Sequence, residues 1–522
     1  MNDPRVELSR LINDRDASLV LRALDTLRPV IELEPGCGTS RSDQAGLYNL
    51  VNQLGRLFAH LDIKVPTGIP CRLQPVAEGD LKTVLDDLAD SIRPAAAACD
   101  PAQVIYLRWG GEPAGDGLAL DAAGWTCSLG PTHLPIVQPD DRPAVAALAV
   151  GCFAAGQLLG RALQSLGMPG HRTTGFTWNL LTYTNSPAPS VPAKEGDTLP
   201  PMSLLGCGSV GTSMMYAGRL AGVTGGPAEL VDPDSFTPRN VLRYPILLER
   251  TDEPKPTWLA RLLRDGGIAA QAHVTDVNGY TNSFDEPPAI DLAVVSADTI
   301  EGRRDAVDLL AATTINIGVA GLALHISRHG FDEDGCGYCQ YVDVAPSLSG
   351  AQQLAELVGL PVERVISIQQ LQDGRLTAQD AALAAQSGRF SGPAPQPGDR
   401  LADLQRRAYA QATVAAGDSE ARVTAPYVSG LAGVLALAEA LKHRDPHLAR
   451  YALVGRCDID LTGEPTGYTA PVPRDRSGRC LCHSGFRRKV HGELHPSRDG
   501  SRAAADSHRS ARPPEPSAAP AA

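Results

Sequence analysis

The stretch LLGCGSVG, Leu204 to Gly211, constrains the fold of this chain more than any other. Gly206, Gly208 and Gly211 stand in the spacing G-x-G-x-x-G. The first glycine permits a tight turn. The second lets an anionic group approach the backbone, and the third lets a helix pack against the strand it leaves. SLLG before the turn reads as a short apolar strand, and SVGTSMMYAGRLAG after it as a helix. AELVD then makes a second strand ending at Asp232, 21 residues beyond Gly211. A glycine turn alone is a weak signal. With a strand before it, a helix after it and a carboxylate closing the next strand, it reads as a nucleotide-binding turn. Free N–H groups at the helix start face phosphate, and the carboxylate faces ribose hydroxyls.

DLAVVSA and TINIGVAG also read as strands, each beside a helical segment, and such alternation predicts a parallel α/β sheet. Upstream, LYNLVNQLGRLFAHL and DLKTVLDDLADSI have helical spacing, and QVIYLRW from Gln103 reads as a strand. NSPAPSVPAKEGDTLPP, residues 185–201, is a linker signal. The expected plan is an N-terminal α/β domain over 1–180, a linker over 181–201 and a nucleotide-binding domain over 202–470. That domain carries a polar, Ala/Gln-rich helical insertion over about 345–420, with a mobile loop at SGPAPQPGD. Residues 471–522 follow, and their Arg-, Ser-, Ala- and Pro-rich part beyond Cys482 reads as disordered. One echo runs through the chain. AVAALAVGCFAAGQLLGRAL, from Ala144, resembles APYVSGLAGVLALAEALKHR, from Ala425, and each would close one half. Either the halves are related, or two Ala/Leu helices simply look alike.

At 522 residues the chain has room for two or three domains. Its net charge of −12 argues against a nucleic-acid partner, because phosphate contacts need a basic surface. The start, MNDPRVELSRLINDRDASLVLRAL, carries charge throughout and does not resemble a signal peptide. The apolar run from Ala144 reads as too short and too Gly-rich for a membrane span, so no membrane partner and a cytoplasmic location are expected. Eleven cysteines, an odd number, do not describe a disulfide framework. Cys37, Cys71, Cys99, Cys127 and Cys152 read as isolated buried thiols. CGYC, with Cys336 and Cys339, and CLCH, with Cys480, Cys482 and His483, are clusters.

The segment VDPDSFTPRNVLRYPILLERTDEPKP decides which nucleotide chemistry to expect. It holds Asn240, Arg243 and Lys255 downstream of Asp232. Hydride transfer does not call for such a cluster. Phosphoryl or nucleotidyl transfer does, because charge on a triphosphate and its leaving pyrophosphate must be neutralised.

On these residues the chain resembles the ThiF/MoeB adenylyltransferase superfamily, which includes the ubiquitin-activating enzymes. The resemblance runs from about Met202 to Lys442. Asp232, Asp234, the apolar Phe236, Asn240 and Arg243 meet the motif D-x-D-x-V-x-x-x-N-x-x-R. Lys255 matches the family lysine, and Asp298 with Arg303 match its later aspartate and arginine. The resemblance implies a Rossmann-like ThiF-type fold with a mixed, mostly parallel sheet. It implies ATP bound by Gly206, Gly208, Gly211, Asp232, Asn240, Arg243 and Lys255, and Mg²⁺ bound by Asp298. Arg243, Lys255 and Asp298 would be the catalytic residues. The carboxylate of a ubiquitin-like or sulfur-carrier protein, or of a precursor peptide, would attack the α-phosphate and release pyrophosphate.

The resemblance also implies a structural zinc held by two cysteine pairs. Cys336 and Cys339 fit the first pair. Cys480 and Cys482, or Cys480 and His483, would complete it, against reduced thiols or a redox pair as the alternatives. The cysteine that forms a thioester in ubiquitin-activating enzymes has no counterpart between Cys339 and Cys457, and Cys457 reads as a core thiol. Family members work as homodimers or as fused halves. The first half here has no G-x-G-x-x-G and no Asp–Asn–Arg–Lys series, so it reads as a degenerate copy or as an unrelated acceptor-binding domain. Arg41 and Arg56 are candidates for an arginine reaching the triphosphate from that half. The rival functions are an NAD-dependent oxidoreductase and a non-catalytic ATP-binding scaffold.

Overall fold

Two β-sheets organise the chain. The computed structural model describes residues 3–496 apart from short segments, the longest being 9–15, 167–172, 187–196, 246–251, 343–353, 388–393 and most of 402–423. Much of the expected linker, part of the loop at SGPAPQPGD and the tail after 496 lie outside the described residues.

The first sheet uses β1 (Leu27–Leu33), β2 (Asp62–Lys64), β3 (Gln103–Trp109), β4 (Leu118–Ala123), β5 (Thr126–Gly130) and β6 (Phe176–Asn179). Its helices are α1 (Ala17–Asp25), α2 (Arg41–Leu57), α3 (Leu81–Ile92) and α4 (Val145–Leu163). The strand order is β2-β1-β3-β4-β5-β6, parallel as far as β4 and antiparallel beyond it.

The second sheet begins with β7 (Thr198–Leu199), β8 (Met202–Leu205), α5 (Ser209–Ala221) and β9 (Thr224–Val231). Then come α6 (Lys255–Asp265), β10 (Ile268–His273), α7 (Val277–Thr281), β11 (Leu292–Val295), α8 (Ile300–Asp305), β12 (Thr313–Ala320) and β13 (Ala323–His329). The order is β10-β9-β8-β11-β12 in parallel, and then antiparallel strands starting with β13. Residues Tyr341–Arg422 form a separate compact unit. It contains α9 (Val362–Gln369) and α10 (Ala378–Gln386) around its own core of Val358, Val365, Ile368, Ala384 and Leu404. Thr377 and Asp380 close a capping box on α10, and Arg364 grips Asp380 at 2.8 and 2.9 Å. The chain then returns to the second sheet through α11 (Pro426–Arg444), β14 (Gly455–Asp460) and β15 (Tyr468–Ala470), and α12 (Gly485–Leu494) follows.

Superposing β1 on β8 by connectivity aligns everything after them. β2 meets β9, β3 meets β11, β4 meets β12, β5 meets β13 and β6 meets β14. The change from parallel to antiparallel pairing falls at the same place in both sheets. The apolar helix α4 lies between β5 and β6, as α11 lies between β13 and β14, so the echo seen in the sequence is a repeat of topology. The second sheet adds β7, β10 and β15.

The two sheets share one hydrophobic core. Helices α2, α4, α5 and α11 build its centre, and α4 packs on α11 across the repeat. Small residues make this packing possible. A Cβ at Gly433 of α11 would lie 2.4 Å from the Met214 nitrogen of α5, and one at Gly156 of α4 would lie 2.9 Å from the Tyr427 ring. A larger side chain at either place would overpack the seam. Charge is buried there too. Glu439 accepts from the Lys442 ammonium at 2.6 Å and from the Tyr183 hydroxyl at 2.8 Å, while Lys442 also donates to the Leu181 carbonyl at 3.0 Å. Both charged groups are fully buried, so each depends on the other.

Two sequence expectations are corrected. At 19 residues, α4 is long and apolar enough to cross a membrane by composition; its near-complete burial, rather than a short length, marks it as a core helix. The segment after Cys482, read as disordered, begins with α12. Ser484 caps it, Arg487 pairs with Asp308 at 2.6 Å, and His491 stacks on Phe331. These contacts offset a composition poor in apolar residues.

Candidate functional site

β8 lies between β9 and β11, so the turn that follows it opens where connections leave the sheet in opposite directions. Ligands collect at such a switch point in open α/β sheets. Gly206 takes φ +102°, a conformation that glycine adopts without strain. Its missing side chain also leaves room for β11, because a Cβ there would sit 3.0 Å from the Ala297 nitrogen. A Cβ at Gly211 would lie 2.2 Å from the Gly206 carbonyl oxygen, so only glycine lets the helix close on the turn. Gly208 is the N-cap of α5, and no side chain caps the helix. The first-turn N–H groups therefore present a partial positive charge to whatever lies above them.

Asp232 ends β9 beneath this turn. One carboxylate oxygen accepts the Cys207 N–H at 2.7 Å and the other the Asp234 N–H at 2.9 Å. Its observed role is to brace the glycine turn, leaving only its remaining lone pairs for a ribose. Burial raises its pKa, and the nearby Lys255 opposes that rise. Lys255 opens α6 with its ammonium 2.8 Å from Asp234 and 3.7 Å from Asp232. Burial alone would lower its pKa, but Tyr244, Asp232 and Asp234 outweigh it and the net shift is upward. Lys255 thus stays a cation, held by two carboxylates at the edge of the turn.

Arg243 and Asn240 come from the loop between β9 and α6. The Arg243 Nε is buried with no hydrogen-bond partner, an orphaned donor that an anion would satisfy. Asn240 turns its side-chain oxygen back to the Thr237 N–H at 2.8 Å, which leaves its NH₂ group free to donate. Asp298 is exposed just past β11. Ser296, two residues earlier, donates its hydroxyl to the Gly206 carbonyl at 2.7 Å, so this strand end is tied to the glycine turn. Arg303 does not join the group. It is buried, bonded to the Asn316 side chain and, at 2.9 Å, to the Ile317 carbonyl, and it secures β12.

The two arginines of the first half part company. Arg41 is not at the phosphate end of α5. Its guanidinium caps the opposite end, donating to the Leu220 carbonyl at 3.1 Å and the Arg219 carbonyl at 3.0 Å. A cation there answers the negative pole of the helix. Arg56 is fully buried, and its Nε donates to the Asn52 side chain at 2.9 Å. Burial lowers its pKa to about 10. Asn52 in turn donates to the Pro245 carbonyl, two residues past Arg243. Sequence reasoning missed this brace, since no motif marks Asn52.

The second cluster is a buried set of four thiols, Cys336, Cys339, Cys480 and Cys482, whose sulfurs all lie within 4.8 Å of one another. Four of the sulfur pairs lie 3.4 to 3.9 Å apart. Zinc–sulfur bonds of about 2.3 Å in a tetrahedron put sulfurs about 3.8 Å apart, so the group could hold zinc. The Asp475 N–H points at the Cys339 sulfur at 3.4 Å, a contact that steadies a thiolate. His483 is elsewhere engaged, with its ring on the Asp475 carbonyl, and it is the Cys482 sulfur that joins the other three. The other seven cysteines are buried or half-buried. Cys457 is fully buried in β14, and burial pushes its thiol up to about 12.

No protein-family profile matches the chain, and no curated protein sequence matches it. Among solved structures the chain is similar to Escherichia coli MccB. For MccB with MccA-N7isoASN the identity is 18%, the likeness covers 54% of this chain and 67% of that one, and the TM-score is 0.32. For MccB with ATP the identity is 17%, the coverage 54% and 66%, and the TM-score again 0.32. The chain thus spans about two-thirds of the length of these structures.

Proposed function

We propose that the chain is an ATP-dependent adenylyltransferase that activates a carboxylate as its AMP anhydride. The observations that support this reading are the buried Arg243 Nε, which has no partner among the described residues, the uncapped start of α5, and the Lys255 ammonium 3.7 Å from Asp232, the carboxylate that braces the glycine turn. An oligophosphate answers all three at once; the diphosphate of a dinucleotide would meet the helix start as well, so the preference for a triphosphate rests on the added cationic and amide series of Asn240, Arg243 and Lys255. The acceptor is the C-terminal carboxylate of a ubiquitin-like or sulfur-carrier protein, or of a precursor peptide. Its oxygen attacks the α-phosphorus, the bond to the bridging oxygen breaks, and pyrophosphate leaves with the electron pair. Arg243, Lys255 and the Asn240 amide stabilise the charge that builds on the phosphates, and Asp232 keeps the turn in shape. Asp298 would hold Mg²⁺, since one free carboxylate plus phosphate oxygens is a donor set that suits this cation. When bound, the ion neutralises phosphate charge.

No cysteine stands between Cys339 and Cys457, where the family's thioester cysteine would lie, and Cys457 is a buried core thiol, so the activated acyl group passes to an external nucleophile. The four-thiol group holds a structural zinc. The first half stands in for a second subunit, so one copy of the chain completes the site, in the cytoplasm. The test is exchange of labelled pyrophosphate into ATP with a panel of carboxyl-terminal peptides and carrier proteins. Exchange that depends on one acceptor and is lost in Asp298→Ala supports the reading. Absence of exchange with every acceptor, in protein that binds NADH, overturns it.

A further inference from the structure

Tyr244 follows Arg243 in the loop between β9 and α6. Its side chain is 4% exposed, and its hydroxyl has no hydrogen-bond partner among the described residues. The hydroxyl stands over the start of α5, where a Cβ on Gly208 would lie 4.0 Å from it. Its position is fixed from both sides. The ring meets Phe236 edge to face at 5.4 Å, and Phe236 meets Trp258 of α6 in the same way at 5.5 Å. The backbone N–H donates to the Asn240 carbonyl at 3.1 Å, and the next residue, Pro245, is held by Asn52. Burial pushes the phenol up to about 12, so it remains a donor at neutral pH.

The ring is buried and only the hydroxyl tip meets solvent, above the start of α5, so a ligand oxygen can take the place of water as its acceptor. The neighbours define that ligand as an anion: Lys255 on one side, Arg243 next in the chain, and the positive pole of α5 below. We propose that the Tyr244 hydroxyl donates a hydrogen bond to a phosphoryl oxygen of the nucleotide seated on the first turn of α5. This rests on the reading of that turn as a nucleotide site. It makes Tyr244 a determinant of phosphate recognition, and not a general acid or base, since no proton leaves it.

Tyr244→Phe removes the hydroxyl and keeps the ring contact with Phe236. Calorimetric titration of the full chain with adenosine and with ATP separates the roles. The expected result is about a tenfold loss of ATP affinity, as for one hydrogen bond to a charged group, with adenosine affinity unchanged. ATP binding that is the same in wild type and variant overturns the proposal and leaves the nucleotide site standing. Equal weakening of adenosine and ATP also overturns it, because the ring alone would then matter. Wild-type protein that binds no adenine nucleotide overturns the underlying reading, and the proposal with it.

Discussion

Gly36-Cys37-Gly38 and Gly206-Cys207-Gly208 follow the matching strands β1 and β8, and each leads into a helix. In the first turn Asp43, on the opening turn of α2, reaches back. Its carboxylate accepts the Gly38 N–H at 3.1 Å and the Trp109 indole N–H at 3.0 Å. Ser40 caps the same helix by accepting from the Asp43 N–H at 3.0 Å. The first half therefore carries its own anion where a phosphate would sit. In the second half Ser213 stands at the same spacing from the glycines and points its hydroxyl away, to the Ser209 carbonyl at 2.6 Å. Its helix start is left open, with cations around it. One architecture thus appears twice, once closed on itself and once ready for a ligand. The closed copy still serves the open one. Its Arg41 caps the far end of α5, and its Asn52 braces the loop of Arg243 and Tyr244.

The largest expected effect comes from parting the halves. Glu439→Gln leaves the Lys442 ammonium fully buried without its counter-charge, beneath Tyr183 and Leu181 of the first half. Removing one partner of a buried pair costs about 3–5 kcal/mol, and denaturant unfolding measures it. A loss under about 1 kcal/mol would mean that the pair does not join the halves.

Next comes a change that makes the open turn imitate the closed one. Ser209→Asp puts a carboxylate at the start of α5, and ATP affinity should fall about 100-fold through like-charge repulsion. Asp43→Asn in the first half should leave ATP affinity within about twofold while lowering the melting temperature. If the two substitutions affected nucleotide binding equally, the two turns would not differ as described. The smallest effect belongs to the brace. Asn52→Ala frees the Pro245 carbonyl, and ATP binding should weaken about threefold to tenfold, in proportion to one neutral hydrogen bond.

Much of this was legible in the sequence, and unevenly so. The strand, glycine turn and helix around Gly206 were plain, because glycine spacing and apolar periodicity are local signals. The Ala144 and Ala425 helices pointed to a repeat. The cysteine spacing named the four thiols but could not choose between Cys482 and His483; the structure brings the Cys482 sulfur to the other three and puts the His483 ring on the Asp475 carbonyl. Arg41 misled because a lone arginine in the sequence does not say which end of which helix it will meet. Asp232, Tyr244 and Asn52 show the same limit. A hydroxyl over a backbone turn, or an amide bracing a loop almost two hundred residues away in sequence, is a product of tertiary packing.

Calorimetric titration of ATP into the wild-type chain and into Arg243→Ala, with NADH titrated in parallel, tests the central claim most directly. The account predicts that wild type binds ATP and not NADH, and that loss of the partnerless guanidinium weakens ATP binding on the order of 10²-fold. Equal ATP binding by both proteins, or NADH bound in place of ATP, would contradict it.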